Sequence, residues 1–95
     1  MTAFPEPASA FSVVWAEERS RFEVWADGAP IGIAEYRIDP TGTQIDFTHT
    51  YVDPGSRGTG AAEALVEQAV TNARARGLDV TASCWYVQEY LDDHR

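Results

Sequence analysis

The chain has no lysine: all seven of its basic side chains are arginines. That absence excludes a Schiff base on the protein. It also excludes a Walker phosphate loop, whose Gly-Lys-Ser/Thr core needs the ammonium group. One cysteine cannot form an internal disulfide. A single Cys and two distant His do not make up the ligand set of a structural zinc site, so no metal is expected. No apolar run approaches the ~20 residues that span a bilayer. The first residues lack the basic-then-apolar pattern of a signal peptide. The expectation is a cytoplasmic protein with no membrane partner.

Positive charge is scarce as well. Fifteen acids against seven arginines leave a net charge of -8 across 95 residues. Nucleic-acid binding relies on neutralising phosphates with basic side chains, so that partner is not expected. An acidic surface attracts cations, such as an amine or a polyamine; the alternative is that the charge only maintains solubility. What the chain has in quantity is apolar residues, 44% with three Trp, four Tyr and four Phe, enough for one packed domain.

Residues 1–11 contain two Pro among small residues and read as a loose tail, with one domain over 12–95. Strands are expected at Ser12–Glu17, at Arg21–Ala26, from Ile31 to Ile38 and from Gln44 to Val52. Asp27-Gly28 and Asp39-Pro40-Thr41-Gly42 are turn signals between them. After Asp53-Pro54-Gly55 the period changes. Ala62, Leu65, Val66, Ala69, Val70 and Ala73 are spaced as one face of a helix, and Gly77 suits its end. Leu78–Cys84 reads as a fifth strand and Tyr86–Asp93 as a short closing helix. The order is an antiparallel meander followed by a βαβ unit with parallel strands.

Gly55, Gly58 and Gly60 fall between a strand and the first turn of that helix. The first amides of a helix have no internal partner, and small residues let them approach a ligand closely. With Arg57 beside them, they form an anion site suited to pyrophosphate. The alternative is a tight turn that only packs the helix on the sheet. A Rossmann fingerprint does not fit, because this βαβ unit follows a long antiparallel meander.

Arg57-x-x-Gly60-x-Ala62 resembles the R/Q-x-x-G-x-G/A signature of the GNAT N-acetyltransferase superfamily. His49-Thr50-Tyr51-Val52 before Arg57-Gly58-Thr59-Gly60, and Cys84-Trp85-Tyr86-Val87-Gln88-Glu89-Tyr90 after the fifth strand, are similar to a short, minimal GNAT-like family. Phe22-Glu23-Val24-Trp25 and Tyr36 also fit, so the likeness runs from about Ser12 to His94. It implies an α+β, GNAT-like fold with acetyl-CoA as co-substrate. Backbone groups of Tyr51 and Val52 would pair with the pantetheine arm. Residues Arg57, Gly58, Thr59, Gly60, Ala61 and Ala62 would hold the pyrophosphate, and the acetyl group would lie where strands four and five splay apart.

Acetylation of an amine needs a base, a polarised thioester carbonyl and a proton for the departing thiolate. His49 is the candidate base by its pKa range; it is expected on one face of strand four with Ile45, Phe47 and Tyr51. Cys84 is a candidate nucleophile if its pKa is lowered, although no cation lies near it in sequence. By the resemblance, Tyr90 stands where many GNAT enzymes place the tyrosine that protonates the CoA sulfur. Asp46, expected on the face opposite His49, stands near the base carboxylate of some relatives. Each has a packing or solvated-surface alternative. The chain departs from the short family at Tyr51, often Glu there, and at Trp85, often Pro. Trp15 and Trp25 are either packing residues or an acceptor-site wall.

The function implied is acetyl-CoA-dependent N-acetylation of a small-molecule or peptide amine. The alternatives are a non-catalytic acyl-CoA-binding module or an interaction domain. The chain lacks the helices that larger relatives insert between their first strands, which implies an open acceptor site. A monomer or weak homodimer is expected.

Overall fold

A computed structural model of the chain describes residues 11–93. Five strands form one sheet in chain order: β1 (Ser12–Ala16), β2 (Arg21–Ala26), β3 (Ala29–Ile38), β4 (Gln44–Val52) and β5 (Asp79–Ala82). The first four are antiparallel, and β5 runs parallel to β4 after the crossover helix α1 (Ala61–Ala75). A second helix, α2 (Trp85–Asp93), closes the described chain. The α+β, GNAT-like order read from the sequence is the observed one. The tail expected over residues 1–11 lies outside the described residues except for Phe11, which packs against the core.

The turns follow from local chemistry. Asp27 and Gly28 both have positive φ, at 52° and 78°, as a two-residue hairpin requires, and Ala26 pairs directly with Ala29. Gly77, at φ 87°, ends α1: its N–H reaches Arg74 O while Leu78 N–H reaches Ala73 O.

Both helices cover the same face of the sheet. Phe22, Val24, Ala34, Ile45 and Phe47 from the strands meet Leu65, Val66, Ala69, Val70 and Ala73 of α1 and Val87 and Leu91 of α2 in one cluster. Burying each larger side chain contributes about 1.5–3 kcal/mol. Trp15 belongs to this packing. Its ring stacks on Phe22 at 4.7 Å, its Nε1 donates to Tyr36 Oη at 2.8 Å, and the Arg76 guanidinium lies 4.1 Å from its centroid. Gly32 is the tight point: a Cβ there would lie 2.9 Å from Tyr51 O and 3.0 Å from side-chain atoms of Val24 and Val52.

The other face carries no helix among the described residues. Val14, Glu23, Trp25, Ile33, Glu35 and Tyr51 stand on it. Glu23 is only 6% exposed, held by the Arg21 guanidinium at 2.8 Å and by Trp25 Nε1 at 3.1 Å. Trp25 is therefore tied to a carboxylate on this open face. No helix of the described residues is long and apolar enough to cross a membrane.

Candidate active site

The site begins at an irregularity in β4. Glu35 of β3 pairs with His49, but Tyr36 pairs with Phe47, which leaves Thr48 as a bulged residue. A bulge inserts one residue and inverts the alternation beyond it. Ile45 and Phe47 point into the core, whereas His49 and Tyr51 lie on the helix-free face and are exposed. This corrects the expectation that His49 shares a face with Ile45 and Phe47. It also places Asp46 on the same face as His49, not the opposite one. Regular strand alternation predicts the shared face, and one extra residue overturns it.

The bulge is also where β5 leaves β4. Parallel pairing runs from Gln44 to Phe47, and the carbonyl of Phe47 closes it by accepting from both Ser83 and Cys84 N–H at 3.0 Å. β5 ends at Ala82, short of the Cys84 end expected for it. Beyond Phe47 the two chains diverge around a cleft of about 700 Å³, walled by His49, Thr50, Val52, Cys84, Trp85 and Tyr86 among others. Asp53 N–H donates to Ile31 O. By alternation, Tyr51 turns its backbone to β3, while Thr50 and Val52 turn theirs to the cleft. The backbone of Thr50, not that of Tyr51, therefore faces the cleft beside that of Val52.

Cys84 sits at the apex. It precedes α2 as its capping residue, with Gln88 N–H donating to its carbonyl at 3.0 Å. Its Sγ lies 3.5 Å from Thr50 Oγ1. Burial opposes ionisation of the thiol, but hydrogen bonds from the Thr50 hydroxyl and from the amides of Val87, Tyr86 and Thr50 outweigh it and hold the thiol below its ordinary range. Helix-terminal amides supply what no neighbouring cation does. Trp85 follows as the first helical residue, a position where proline also fits because its N–H has no helical partner.

Of the two tyrosines on α2, Tyr86 lines the cleft. Burial, then the charges of Glu63 and Glu89, keep its phenol protonated above the ordinary range. Tyr90, one turn on, faces α1: burial and Glu67 raise its pKa and Arg74 opposes them. Tyr90 is not among the cleft-lining residues. Asp46 accepts from Thr81 Oγ1 at 2.9 Å and Ser83 Oγ at 2.6 Å, outside the cleft wall.

The cleft continues into a second hollow of about 270 Å³ at the start of α1, sharing Val52, Arg57, Ala62 and Tyr86 with the first. Gly58 and Gly60 have φ of 80° and 93°, and nothing lies within 4 Å of where a Cβ at Gly58 would be. Gly60 caps α1 without a side-chain partner, so the amides of Ala61, Ala62 and Glu63 face outward. Arg57 folds back: its Nε donates to Val52 O at 3.0 Å and its guanidinium lies 5.8 Å from the Tyr51 ring centroid. Among the described residues, no group of three or more His, Cys, Asp or Glu is placed to hold a metal.

A model of GCN5-related N-acetyl-transferases matches residues 21–95 of this chain. The chain belongs to that family. It is 28% identical over 92 residues to Protein NATD1 of Xenopus tropicalis, across 94% of this chain and 82% of that one. A ribosomal-protein-alanine N-acetyltransferase from Brucella melitensis biovar Abortus 2308 superposes with a TM-score of 0.53 at 28% identity over 65% of this chain. An aminoglycoside acetyltransferase from an uncultured soil metagenomic sample, solved with trehalose, gives 0.54 at 14% identity over 88% of it, a likeness of fold alone. The chain spans 48% of the Brucella structure and 64% of the metagenomic one.

Proposed function

We propose that residues 12–95 form one acetyl-CoA-binding domain that transfers acetyl groups from acetyl-CoA to an amine. The observation that carries this reading is the continuity of the cleft: the Thr50–Cys84 apex, the backbone edge of Thr50 and Val52 that β5 leaves unpaired, with the Val52 carbonyl held by Arg57, and the bare first turn of α1 lie along one channel. Pyrophosphate would take the amides of Gly58 to Ala62, where the helix end favours an anion. The pantetheine arm would run along Val52 and Thr50 as an added strand, which brings the thioester to the fork. Gly58 and Gly60 leave that approach unobstructed.

Transfer forms a C–N bond and breaks a C–S bond; the amine loses a proton and the departing sulfur gains one. His49, on the open side of β4, would take the amine's proton. Tyr86, kept protonated and lining the cleft where Tyr90 does not, would donate to the sulfur. Cys84, with its acidified thiol, is the candidate for an acetylated intermediate. The second reading is a module that binds acyl-CoA without turnover. It draws on the placement of Tyr90 outside the cleft.

Calorimetric titration with acetyl-CoA, CoA and pantetheine tests the cofactor claim. Binding of both CoA species but not pantetheine is expected; no binding of any overturns it. Where CoA binds, Tyr86→Phe should lower kcat with little change in CoA affinity. Absence of turnover on an amine panel would favour the binding module.

A further inference from the structure

The cleft edge that β5 leaves unpaired is not open along its whole length. Thr50 and Val52 turn their backbone groups to the cleft, and one of those groups already has a partner. The Arg57 Nε–H donates to Val52 O at 3.0 Å. The guanidinium reaches on toward the Tyr51 ring, 5.8 Å from its centroid. Arg57 lines both hollows, so it stands where the cleft passes into the start of α1.

Two features make this hold exchangeable. Its partner at Val52 is a neutral carbonyl, and no carboxylate among the described residues lies within ion-pair distance of Arg57. Arginine binds a phosphate through two parallel N–H groups, with a strength and direction that one carbonyl does not match. The backbone need not move either. Arg57 leaves the turn Pro54–Ser56 in extended conformation, at φ -70° and ψ 145°, and only its side chain reaches Val52.

A pantetheine arm that joins β4 as an added strand must donate an amide to Val52 O. That acceptor is the one Arg57 holds. A ligand without phosphates must break the bond with nothing to offer the guanidinium. A ligand with a diphosphate brings an anion to the hollow that Arg57 already lines.

We propose that Arg57 is a latch that selects the acyl donor. Closed on Val52 O, it keeps the pantetheine edge from pairing. Drawn to the diphosphate, it releases that edge. The site therefore takes CoA thioesters and discriminates against pantetheine thioesters that carry no diphosphate. The proposal rests on the acetyl-CoA reading and adds how the donor is chosen. The exchange is one of hydrogen bonds alone.

The test is NMR titration of the wild-type chain and of Arg57→Ala with CoA and with pantetheine. Pantetheine, too weak for calorimetry, is followed by the shift of the Val52 amide. Loss of a side chain that only contacts phosphate would weaken CoA and leave pantetheine unchanged. The latch gives opposite movements in Arg57→Ala. CoA should weaken by about tenfold, and pantetheine should tighten by about fivefold because no hydrogen bond is broken first. In the wild type, the Arg57 Nε–H resonance should shift when CoA binds. Tyr51→Ala loosens the closed position from its other side and should tighten pantetheine by a smaller factor. It carries the test where Arg57→Ala does not fold. Pantetheine affinity unchanged or lowered in the folded variant, or an Nε–H resonance unmoved by bound CoA, would overturn the latch alone. Failure of CoA to bind the wild-type chain would instead overturn the reading beneath it.

Discussion

The two halves of β4 have the same neighbour on one side and different ones on the other. Gln44–Phe47 is paired to β3 and to β5, and its inward residues Ile45 and Phe47 are fully buried. Thr48–Val52 keeps β3 but has lost β5, and it presents Thr50, Val52 and an inverted set of side chains to a cleft. The sequence does not change character between them; both are β-branched and aromatic. A single bulged residue divides a stretch that stabilises the fold from one that offers its backbone to a ligand. A site built this way is rigid because one half of its strand is locked in the core.

That division can be attacked from either side. The largest effect should come from the locked half: Phe47→Ala, at a site packed among Phe22, Tyr36 and the helices, should cost about 3–5 kcal/mol, read by denaturant unfolding. A loss under about 1 kcal/mol would show that the core does not anchor β4 there. Next comes the join between the halves and β3. Gly32→Ala drives a Cβ against Tyr51 O and the Val52 side chain, at a cost of about 1–3 kcal/mol. Because the displaced backbone is the cleft edge, CoA affinity should fall with stability. Unchanged CoA affinity in a destabilised variant would separate the free half from the strand beneath it. At the loop, Gly60→Ala meets open space, its nearest atom being Phe11 Cε2 at 4.0 Å, so its cost is the left-handed φ alone, about 1–2 kcal/mol. Relaxation of that φ should turn the first amides of α1 away from the phosphates and weaken CoA more than pantetheine.

Much of the fold was legible in the residues. The β-branched and aromatic run from Gln44 to Val52 coincides with β4, and the turn chemistry of Asp27-Gly28 and Gly77 is matched by their backbone angles. The glycine loop was legible because its chemistry is local. The site was less so, for one reason with several consequences. Period-two alternation assumes a regular strand, and nothing in Thr48-His49 announces a bulge, so the faces of His49 and Tyr51 were inverted. Tyr86 and Tyr90 lie four residues apart on α2, so helical spacing sets them on one side of it. Only the docking of α2 against α1 determines which of them reaches the cleft. The thiol environment of Cys84 comes from helix amides and from Thr50, thirty-four positions away, which neighbouring sequence cannot supply.

Cys84 gives the smallest and sharpest test, because it lies where the two halves part. Its folded pKa is lowered, against burial, by the Thr50 hydroxyl and three amides. The thiolate is therefore favoured in the folded state relative to the unfolded one, where the thiol titrates in its ordinary range. The stabilisation linked to that shift is present above the ordinary thiol range and is lost as pH falls through the folded value. Relative to Cys84→Ala, the wild-type chain should thus gain stability as pH rises through that window. The rate of alkylation by iodoacetamide should show a midpoint below that of the denatured chain. Thr50→Val removes the hydroxyl but leaves the Thr50, Tyr86 and Val87 amides, so the midpoint should move up part of the way. A midpoint in the wild type at or above that of the denatured chain would mean that burial dominates, and Cys84 would then be a packed thiol with no role as a nucleophile.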